Sequence, residues 1–181
     1  GLISLLSIGY GGFIVTNDDS LAEKCRLIRD HGLVRDPEEY LYQGFNFKVS
    51  DLLLAIGKGQ FERIEEKKEH LLKVYQRYEE GLAGCPHVKL LPIDYANGLI
   101  PLCVDLISPS RSELESYLKV KGIQISNFHK PVHKAKYLGD YNPRSFPNSI
   151  RFSKQGFMPP CGPNQSLDKV DKVIETILHY K

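Results

Sequence analysis

The feature that most constrains this chain is the uneven distribution of its predicted strands. Before residue 84 one short run, Phe13-Ile14-Val15-Thr16, has the β-branched and aromatic composition of a strand, and the patterns after it are helical. After residue 88 strand and helix patterns alternate and end in an amphipathic helix from Ser166 to Lys181. A single strand needs neighbours to satisfy its backbone. We therefore expect residues 85–181 to fold as an autonomous unit and residues 1–84 to depend on other segments or partners.

The helices of the first segment are predicted from capping signals. Residues 17–20 supply side-chain oxygens ahead of a helix that ends near Gly32. Ser50 can cap a second helix, and an amphipathic helical pattern then continues to Gly84. Between them lies an irregular loop at 33–48, and a loop of this length inside a compact domain is usually functional. The first segment is thus predicted to contain one strand, helices and a functional loop.

The second segment has the signals of a small α+β fold. The predicted strands are 88–91, 99–104 and 123–126. Asn97-Gly98 indicates a tight turn between the first two, and Ser110 with Glu113 forms a capping box that opens a helix. Residues 129–164 are rich in proline and aromatic side chains and predict loops with short elements. The chain is therefore predicted to be of the α/β class, with an α+β arrangement in its C-terminal part.

Composition and charge exclude several classes of protein. The chain has 24 basic and 22 acidic side chains, and a net charge of +2 gives no argument for nucleic acid or an anionic membrane as a partner. The uncharged residues 1–17 have no basic start and are interrupted by serines and glycines, so they predict neither a signal peptide nor a membrane helix. The four cysteines are widely spaced without a Cys-x-x-Cys pair. We expect reduced thiols, no metal site and a cytoplasmic location.

Several motifs occur in a specific order along the chain. A Gly9-Tyr10-Gly11-Gly12 turn leads to Thr16-Asn17-Asp18, and Arg29-Asp30-His31-Gly32 closes the next helix. Gly44-Phe45-Asn46-Phe47-Lys48 opens a further block, and Phe128-His129-Lys130-Pro131-Val132-His133 comes before the terminal helix. In this order the motifs resemble the DegT/DnrJ/StrS family of PLP-dependent sugar aminotransferases, and the resemblance spans essentially the whole chain.

The resemblance implies a fold and an activity. It implies that residues 1–84 are the end of the PLP-binding large domain, and 85–181 the small C-terminal domain, of a fold-type I PLP-dependent transferase. The complete enzyme would transfer an amino group from glutamate to a keto nucleotide-sugar and would form a homodimer. The chain matches only the C-terminal half of the family's usual length, and the register of the Schiff-base lysine falls on Ile3 or Ser4. Because the first lysine is Lys24, we expect this chain alone to be inactive and to bind no PLP.

Four residues match positions to which the family gives a binding role. By resemblance, Asn46 reaches the PLP phosphate of the neighbouring subunit, and Lys48 stands where the family has an arginine near the cofactor. His133 would lie near the amino-sugar and amino-donor pocket, and Lys130 would face a nucleotide-sugar phosphate. We expect no catalytic residue and no metal ligand in this chain. The alternatives for these residues are a turn-forming asparagine, two solvated lysines and a histidine hydrogen-bonded within a loop. The competing hypothesis for the whole chain is a non-enzymatic, lysine-less binding or assembly module.

Overall fold

The chain folds into two compact units. The computed structural model describes residues 5–127, 130–139 and 145–181. The first unit comprises Leu6–Arg63, and the second begins at Ile64 and continues to Lys181. Each unit has its own secondary structure.

The first unit contains two helices and a β-hairpin. Its elements are α1 (Asp19–Arg29), β1 (Leu33–Arg35), β2 (Glu38–Tyr40) and α2 (Asp51–Phe61). Asp18 caps α1 as predicted, because its Oδ1 accepts a hydrogen bond from the Leu21 amide at 3.0 Å. The antiparallel hairpin lies in the segment 33–48, which the sequence predicted as irregular, and pairs Val34 with Glu39. Its strands of three residues are too short for a visible alternation of polar and apolar positions.

The predicted strand at Phe13–Thr16 was wrong. These residues are described, but none of them has strand pairing. Phe13 is 88% exposed and Val15 is 85% exposed. A strand forms only where a neighbouring strand exchanges backbone hydrogen bonds with it, and no described residue of the first unit does so. The run has the β-branched and aromatic composition of a strand, but composition alone does not provide a neighbouring strand to pair with.

The segment before this run packs on α2. Ser7 and Gln60 exchange two hydrogen bonds, one from the Ser7 amide to Gln60 Oε1 at 2.9 Å and one from Gln60 Nε2 to the Ser7 carbonyl at 2.8 Å. Ile8 approaches Gly57 so closely that a Cβ on this glycine would lie 3.2 Å from Ile8 Cγ2. This approach explains a glycine in the middle of a helix, where it otherwise reduces stability.

The second unit is an α+β fold. Its elements in the described residues are α3 (Ile64–Gly81), β3 (Lys89–Leu90), β4 (Leu106–Ile107), α4 (Arg111–Val120), β5 (Ser126–Asn127), α5 (Pro147–Gln155), β6 (Gly156–Met158) and α6 (Leu167–Leu178). The strands form an antiparallel sheet in the order β3-β4-β6-β5, in which Leu106 pairs with Leu90 and with Phe157. The α/β class and the α+β arrangement of the C-terminal part are confirmed.

The division between the units differs from the predicted boundary at residues 84 and 85 by one helix. Helix α3 belongs to the second unit, because Tyr75 and Tyr78 on it are completely buried in that unit's core. Arg77 on α3 also forms a two-pronged ion pair with Asp171 on α6, at 2.6 and 2.8 Å. The hydrophobic periodicity located the helix correctly, but it did not show which unit the apolar face contacts.

One predicted strand in the second unit was wrong. The predicted strand 99–104 has no strand pairing, and the strand forms instead at Leu106–Ile107. Pro101 lacks the amide hydrogen that a central strand needs, whereas Leu106 is fully buried opposite Phe157. Residues 129–164 were predicted to be loops with short elements, and their described part contains two 3₁₀ turns, the nine-residue helix α5 and the three-residue central strand β6.

The core of the second unit also satisfies its buried hydroxyl groups. Tyr78 donates a hydrogen bond to the Pro160 carbonyl at 2.8 Å, and burial raises the pKa of this phenol. Tyr75 donates to the Leu91 carbonyl at 3.2 Å and accepts from the Ile93 amide at 3.0 Å. Because buried polar groups are costly when unpaired, these bonds allow two tyrosines to occupy the core. No helix in the described part of the chain is long and apolar enough to cross a membrane.

Candidate functional site

Two of the sequence motifs meet at the C-terminal end of α1. Gly32 follows the helix with a φ of 73°, and a Cβ on it would lie 1.8 Å from the Tyr42 carbonyl oxygen. Gly44 makes the same approach from the other side, where a Cβ would lie 2.0 Å from the Gly32 nitrogen. Any side chain at either position would collide with backbone. The two glycines therefore allow residues 42–47 to fold back against the end of the helix.

The returning loop is held by backbone hydrogen bonds to the last turn of α1. These bonds run from the Phe45 amide to the Ile28 carbonyl (2.8 Å), from the His31 amide to the Phe45 carbonyl (3.0 Å) and from the Phe47 amide to the Arg29 carbonyl (3.0 Å). The bonds to Ile28 and Arg29 use carbonyl groups that a helix end leaves without helical partners. Asp30 and Asn46 form an antiparallel bridge as a result. The loop thus fixes the position of Asn46 relative to the helix.

Asp30 in this position faces two cationic side chains. Lys48 Nζ donates a hydrogen bond to Asp30 Oδ1 at 2.5 Å, and Arg35 Nη2 donates to Oδ2 at 3.2 Å. These two bonds, chiefly the one from Lys48, hold the pKa of Asp30 below its usual value. One carboxylate against two cations leaves a local charge of +1, and the Lys48 and Arg35 side chains remain 43% and 72% exposed. The cluster can therefore accept an anion.

The cluster fits the phosphate group of PLP. Asn46 is exposed, and its amide nitrogen offers two hydrogen-bond donors. Lys48 adds a positive charge from the same loop, and Arg35 offers a guanidinium that binds phosphate oxygens in pairs. The structure thus brings together the predicted pair Asn46 and Lys48. The sequence analysis missed Asp30 and Arg35, although Asp30 lies inside one of the quoted motifs and could have been identified as the counter-ion of Lys48.

A second group of side chains surrounds His133 in the second unit. His133 lies in a single 3₁₀ turn, Val132–Lys134, and its ring stacks on Phe146 with a centroid separation of 4.5 Å and an angle of 7°. Ser149 on α5 places its Oγ 3.5 Å from His133 Nδ1. Phe128 and His129, which belong to the same sequence motif, lie outside the described residues. The imidazole is therefore oriented by a stacked ring on one side and a hydroxyl at one nitrogen.

A groove next to α5 brings further polar groups near this histidine. Ser149 lines the groove together with Lys89 on β3 and Arg151 on α5, and Leu91 and other apolar side chains complete its surface. Two cations with an apolar surface are suited to an anionic ligand that also has an apolar part. Phe146, Lys89 and Arg151 were missed by the sequence analysis, because they belong to no motif and Lys89 lies far from the other two in the sequence.

Lys130 and His133 lie on one segment of the second unit, three residues apart. Lys130 is exposed, whereas His133 is half-buried. The pair Asn46 and Lys48 belongs to the first unit. Among the described residues, no group of three or more histidine, cysteine, aspartate or glutamate side chains is arranged to hold a metal ion.

Comparison with known proteins shows which family has this fold and these motifs. The sequence profile described as the DegT/DnrJ/EryC1/StrS aminotransferase family matches residues 3–178. The chain belongs to this family. The resemblance noted from the motifs is therefore confirmed. The chain spans about half the length of the curated relatives it matches.

Individual relatives show the extent of the match. GDP-perosamine synthase of Caulobacter vibrioides is 38% identical over 138 residues, which are 71% of this chain and 37% of the relative. The dTDP-3-amino-3,4,6-trideoxy-alpha-D-glucose transaminase of Streptomyces venezuelae is 26% identical over 95% of this chain and 46% of its own length. The crystal structure of S. venezuelae DesV with a ketimine intermediate superposes with a TM-score of 0.82 at 25% identity, covering 92% of this chain and 46% of DesV.

Proposed function

We propose that this chain is the C-terminal portion of a PLP-dependent aminotransferase that transfers an amino group from glutamate to a keto nucleotide-sugar. The observation that carries the proposal is the meeting of two family motifs at the end of α1, where Asn46 and Lys48 adjoin Asp30 in a cluster of net positive charge. The names of two relatives, a dTDP-sugar transaminase and GDP-perosamine synthase, support a nucleotide-linked sugar as the substrate.

Asn46 and Lys48 are proposed to bind the phosphate of PLP in the neighbouring subunit of a homodimer. PLP supplies an electron sink for the carbon that gains or loses the amino group. The Asn46 amide donates hydrogen bonds to a phosphate oxygen, and Lys48 with Arg35 contributes the positive charge that Asp30 does not neutralise. Asp30 orients Lys48 within the loop. In this role the residues position the cofactor and perform no bond-breaking step themselves.

His133 and Lys130 are proposed to contact the substrate. The stacked Phe146 and the Ser149 hydroxyl hold the His133 imidazole in one orientation, so that it can exchange a hydrogen bond with a sugar or amino-donor group. Lys130 is exposed and can pair with a phosphate of the nucleotide. The adjacent groove with Lys89 and Arg151 extends the same positive charge. The substrate's two phosphates would thereby be held on the small-domain side.

The lysine that carries PLP is proposed to lie in the half of the family's length that this chain does not cover. The 181-residue chain by itself is then inactive and binds no PLP. The four cysteines are free thiols, three of them partly buried and Cys161 buried, which supports a reducing, cytoplasmic location.

The test uses a fusion protein in which this chain replaces the matched segment of C. vibrioides GDP-perosamine synthase. In it, Asn46→Ala removes a charge-assisted hydrogen bond and is expected to weaken PLP binding by about 10- to 100-fold. Asn97→Ala is the matched control, because Asn97 is an exposed amide that donates only to Asp94 in a turn of the second unit. His133→Ala is expected to raise the KM for the sugar and leave PLP affinity unchanged.

A subunit-mixing experiment tests the homodimer and the direction of the Asn46 contact. One subunit carries Asn46→Ala, and the other lacks the PLP-carrying lysine of its other half. If Asn46 serves the neighbouring subunit, random mixing gives mixed dimers with one intact site. At a PLP concentration that leaves the Asn46→Ala dimers unloaded, this restores about a quarter of the activity. Mixtures that stay inactive contradict the contact across the dimer, and a fusion protein without transaminase activity favours the binding-module hypothesis.

A further inference from the structure

Helix α5 brings two side chains to the His133 ring. Phe146 is the N-cap residue of α5 and stacks on the imidazole, and Ser149 in the first turn places its hydroxyl 3.5 Å from Nδ1. Three further residues of α5 line the adjacent groove, namely Asn148, Arg151 and Phe152. The position of α5 therefore determines both the orientation of the His133 ring and the shape of the groove.

The other end of α5 is held by a charged side chain from α4. Arg111 Nη1 donates hydrogen bonds to the carbonyl oxygens of Ser153, at 3.0 Å, and of Gly156, at 3.3 Å. Ser153 lies in the last turn of α5, where carbonyl groups lack helical partners and form the negative end of the helix dipole. Gly156 is the first residue of β6. Arg111 thus connects the start of α4 to the junction between α5 and β6.

The junction between α5 and β6 is closely packed. A Cβ on Gly156 would lie 2.6 Å from the Phe152 carbonyl oxygen, so a larger residue does not fit there. The Ser108 amide, just after β4, donates a hydrogen bond to the Gln155 carbonyl at 3.0 Å. With the two bonds from Arg111, three carbonyl groups at this junction are bound by the segment that runs from β4 into α4. That segment therefore fixes where α5 ends.

The guanidinium of Arg111 has only carbonyl partners. In the part of the chain that the structure describes, no carboxylate pairs with it, and its Nε is buried without a hydrogen-bond partner. A buried donor without a partner reduces stability. The negative end of the α5 dipole is therefore the charge that balances Arg111. This arrangement is better suited to fixing the end of a helix than to adding stability.

We propose that Arg111 is a positioning residue for the substrate site. By capping α5, it keeps Phe146 and Ser149 against the His133 ring. Ser149 lies four residues before the capped Ser153, about 6 Å along the same side of the helix, so a shift at the cap reaches Ser149 within one turn. Arg111 is not among the residues that line the groove, and it acts through α5. The inference rests on the proposed function only in taking the keto nucleotide-sugar as the ligand of His133.

Proton NMR of the 181-residue chain tests the positioning independently of activity. Stacking on an aromatic ring shifts the His133 Cε1 proton upfield, and Phe146→Leu gives its resonance without the stack. We expect Arg111→Met to move this resonance towards its position in Phe146→Leu, because the last turn of α5 loses its cap. Arg111→Lys retains a charged donor and should keep the resonance close to its original position.

The matched control is Arg77→Met. Arg77 also connects two helices of the second unit through a pair of charged hydrogen bonds, made to Asp171 on α6, but it does not contact α5 or line the groove among the described residues. Its replacement should leave the His133 resonance in place. In the fusion protein described above, Arg111→Met is expected to raise the KM for the sugar by about 10-fold and to change kcat little. Arg77→Met should change neither constant.

The positioning role is overturned if the His133 resonance stays in place in Arg111→Met, or if it moves equally in Arg77→Met. A moved resonance with an unchanged KM in an active fusion protein overturns it as well. If Arg111→Met does not fold, Arg111→Gln takes its place, because its shorter, neutral amide cannot bind both carbonyl groups; an unmoved resonance in that variant has the same meaning. A moved resonance together with an inactive fusion protein supports the positioning role and counts against the proposed function alone.

Discussion

Replacing Gly81 by alanine tests how closely α3 packs on α6. Gly81 is the last residue of α3, and a Cβ there would lie 2.8 Å from both Cδ1 and Cγ2 of Ile174. These two atoms are on different branches of the isoleucine, so a rotation about χ2 moves only Cδ1 and leaves Cγ2 in place. Ile174 is 7% exposed and has core neighbours behind it. The new methyl group is therefore expected to push α3 and α6 apart.

The expected loss of unfolding free energy is the difference between two opposing effects. Overpacking a core with one methyl group costs about 1–3 kcal/mol, whereas alanine in place of glycine favours a helix by up to about 1 kcal/mol. The net loss is about 1 kcal/mol, which corresponds to a fall in Tm of about 4 °C for a unit of this size. Equilibrium unfolding in urea, followed by circular dichroism, measures it.

The matched control for Gly81→Ala is Gly162→Ala in the same unit. Gly162 has no heavy atom within 4 Å of a Cβ position and does not require a positive φ, so its replacement should change stability by less than about 0.5 kcal/mol. In an Ile174→Val background, which removes Cδ1, Gly81→Ala should cost less than in the original chain. Equal or greater stability of Gly81→Ala in the original background would refute the close packing of α3 on α6.

Two further predictions concern titratable groups. Because Lys48 and Arg35 hold the pKa of Asp30 below its usual 3.8, Lys48→Met should move the NMR titration midpoint of Asp30 upward. A carboxyl group whose pKa is lower in the folded than in the unfolded state stabilises the fold at pH values above the unfolded pKa. This contribution is lost as the pH falls through the folded pKa. An unmoved midpoint in the Lys48→Met variant would refute the pairing. Burial, with the nearby Asp105 charge, raises the pKa of Cys103 to about 12. Iodoacetamide should therefore alkylate Cys103 at pH 8 at least about 100-fold more slowly than an unperturbed thiol, and rapid labelling would contradict that environment.

The parts of the fold that could be predicted from the sequence depend on local interactions. The cap at Asp18 and the apolar periodicity of α6 are properties of neighbouring residues, and the structure has helices there. Strand β6 could not be predicted, because its three residues form a strand through pairing with β4 and β5, which come earlier in the chain. The run Phe13–Thr16 failed for the opposite reason. It has the composition of a strand but no neighbour in the described residues of its unit.

The candidate site shows the same limit. The motifs predicted a cofactor-binding role for Asn46 and Lys48, because both lie in one short block. Their meeting with Asp30 depends on the close approach of Gly32 and Gly44, which no local pattern indicates. Around His133 the motif predicted the histidine, but Phe146 and Ser149 reach it from residues 13 and 16 positions further along the chain. Contacts between distant positions therefore account for most of what the sequence analysis missed.

The central claim is that this chain supplies binding residues to an aminotransferase whose PLP-carrying lysine lies in the other half of the family fold. Borohydride reduction in the presence of PLP, followed by peptide mapping, tests it directly. The fusion protein should yield one labelled lysine outside these 181 residues, and the isolated chain should yield none. A labelled peptide from within this chain, for example at Lys48, would contradict the claim and would make that lysine the carrier of the cofactor.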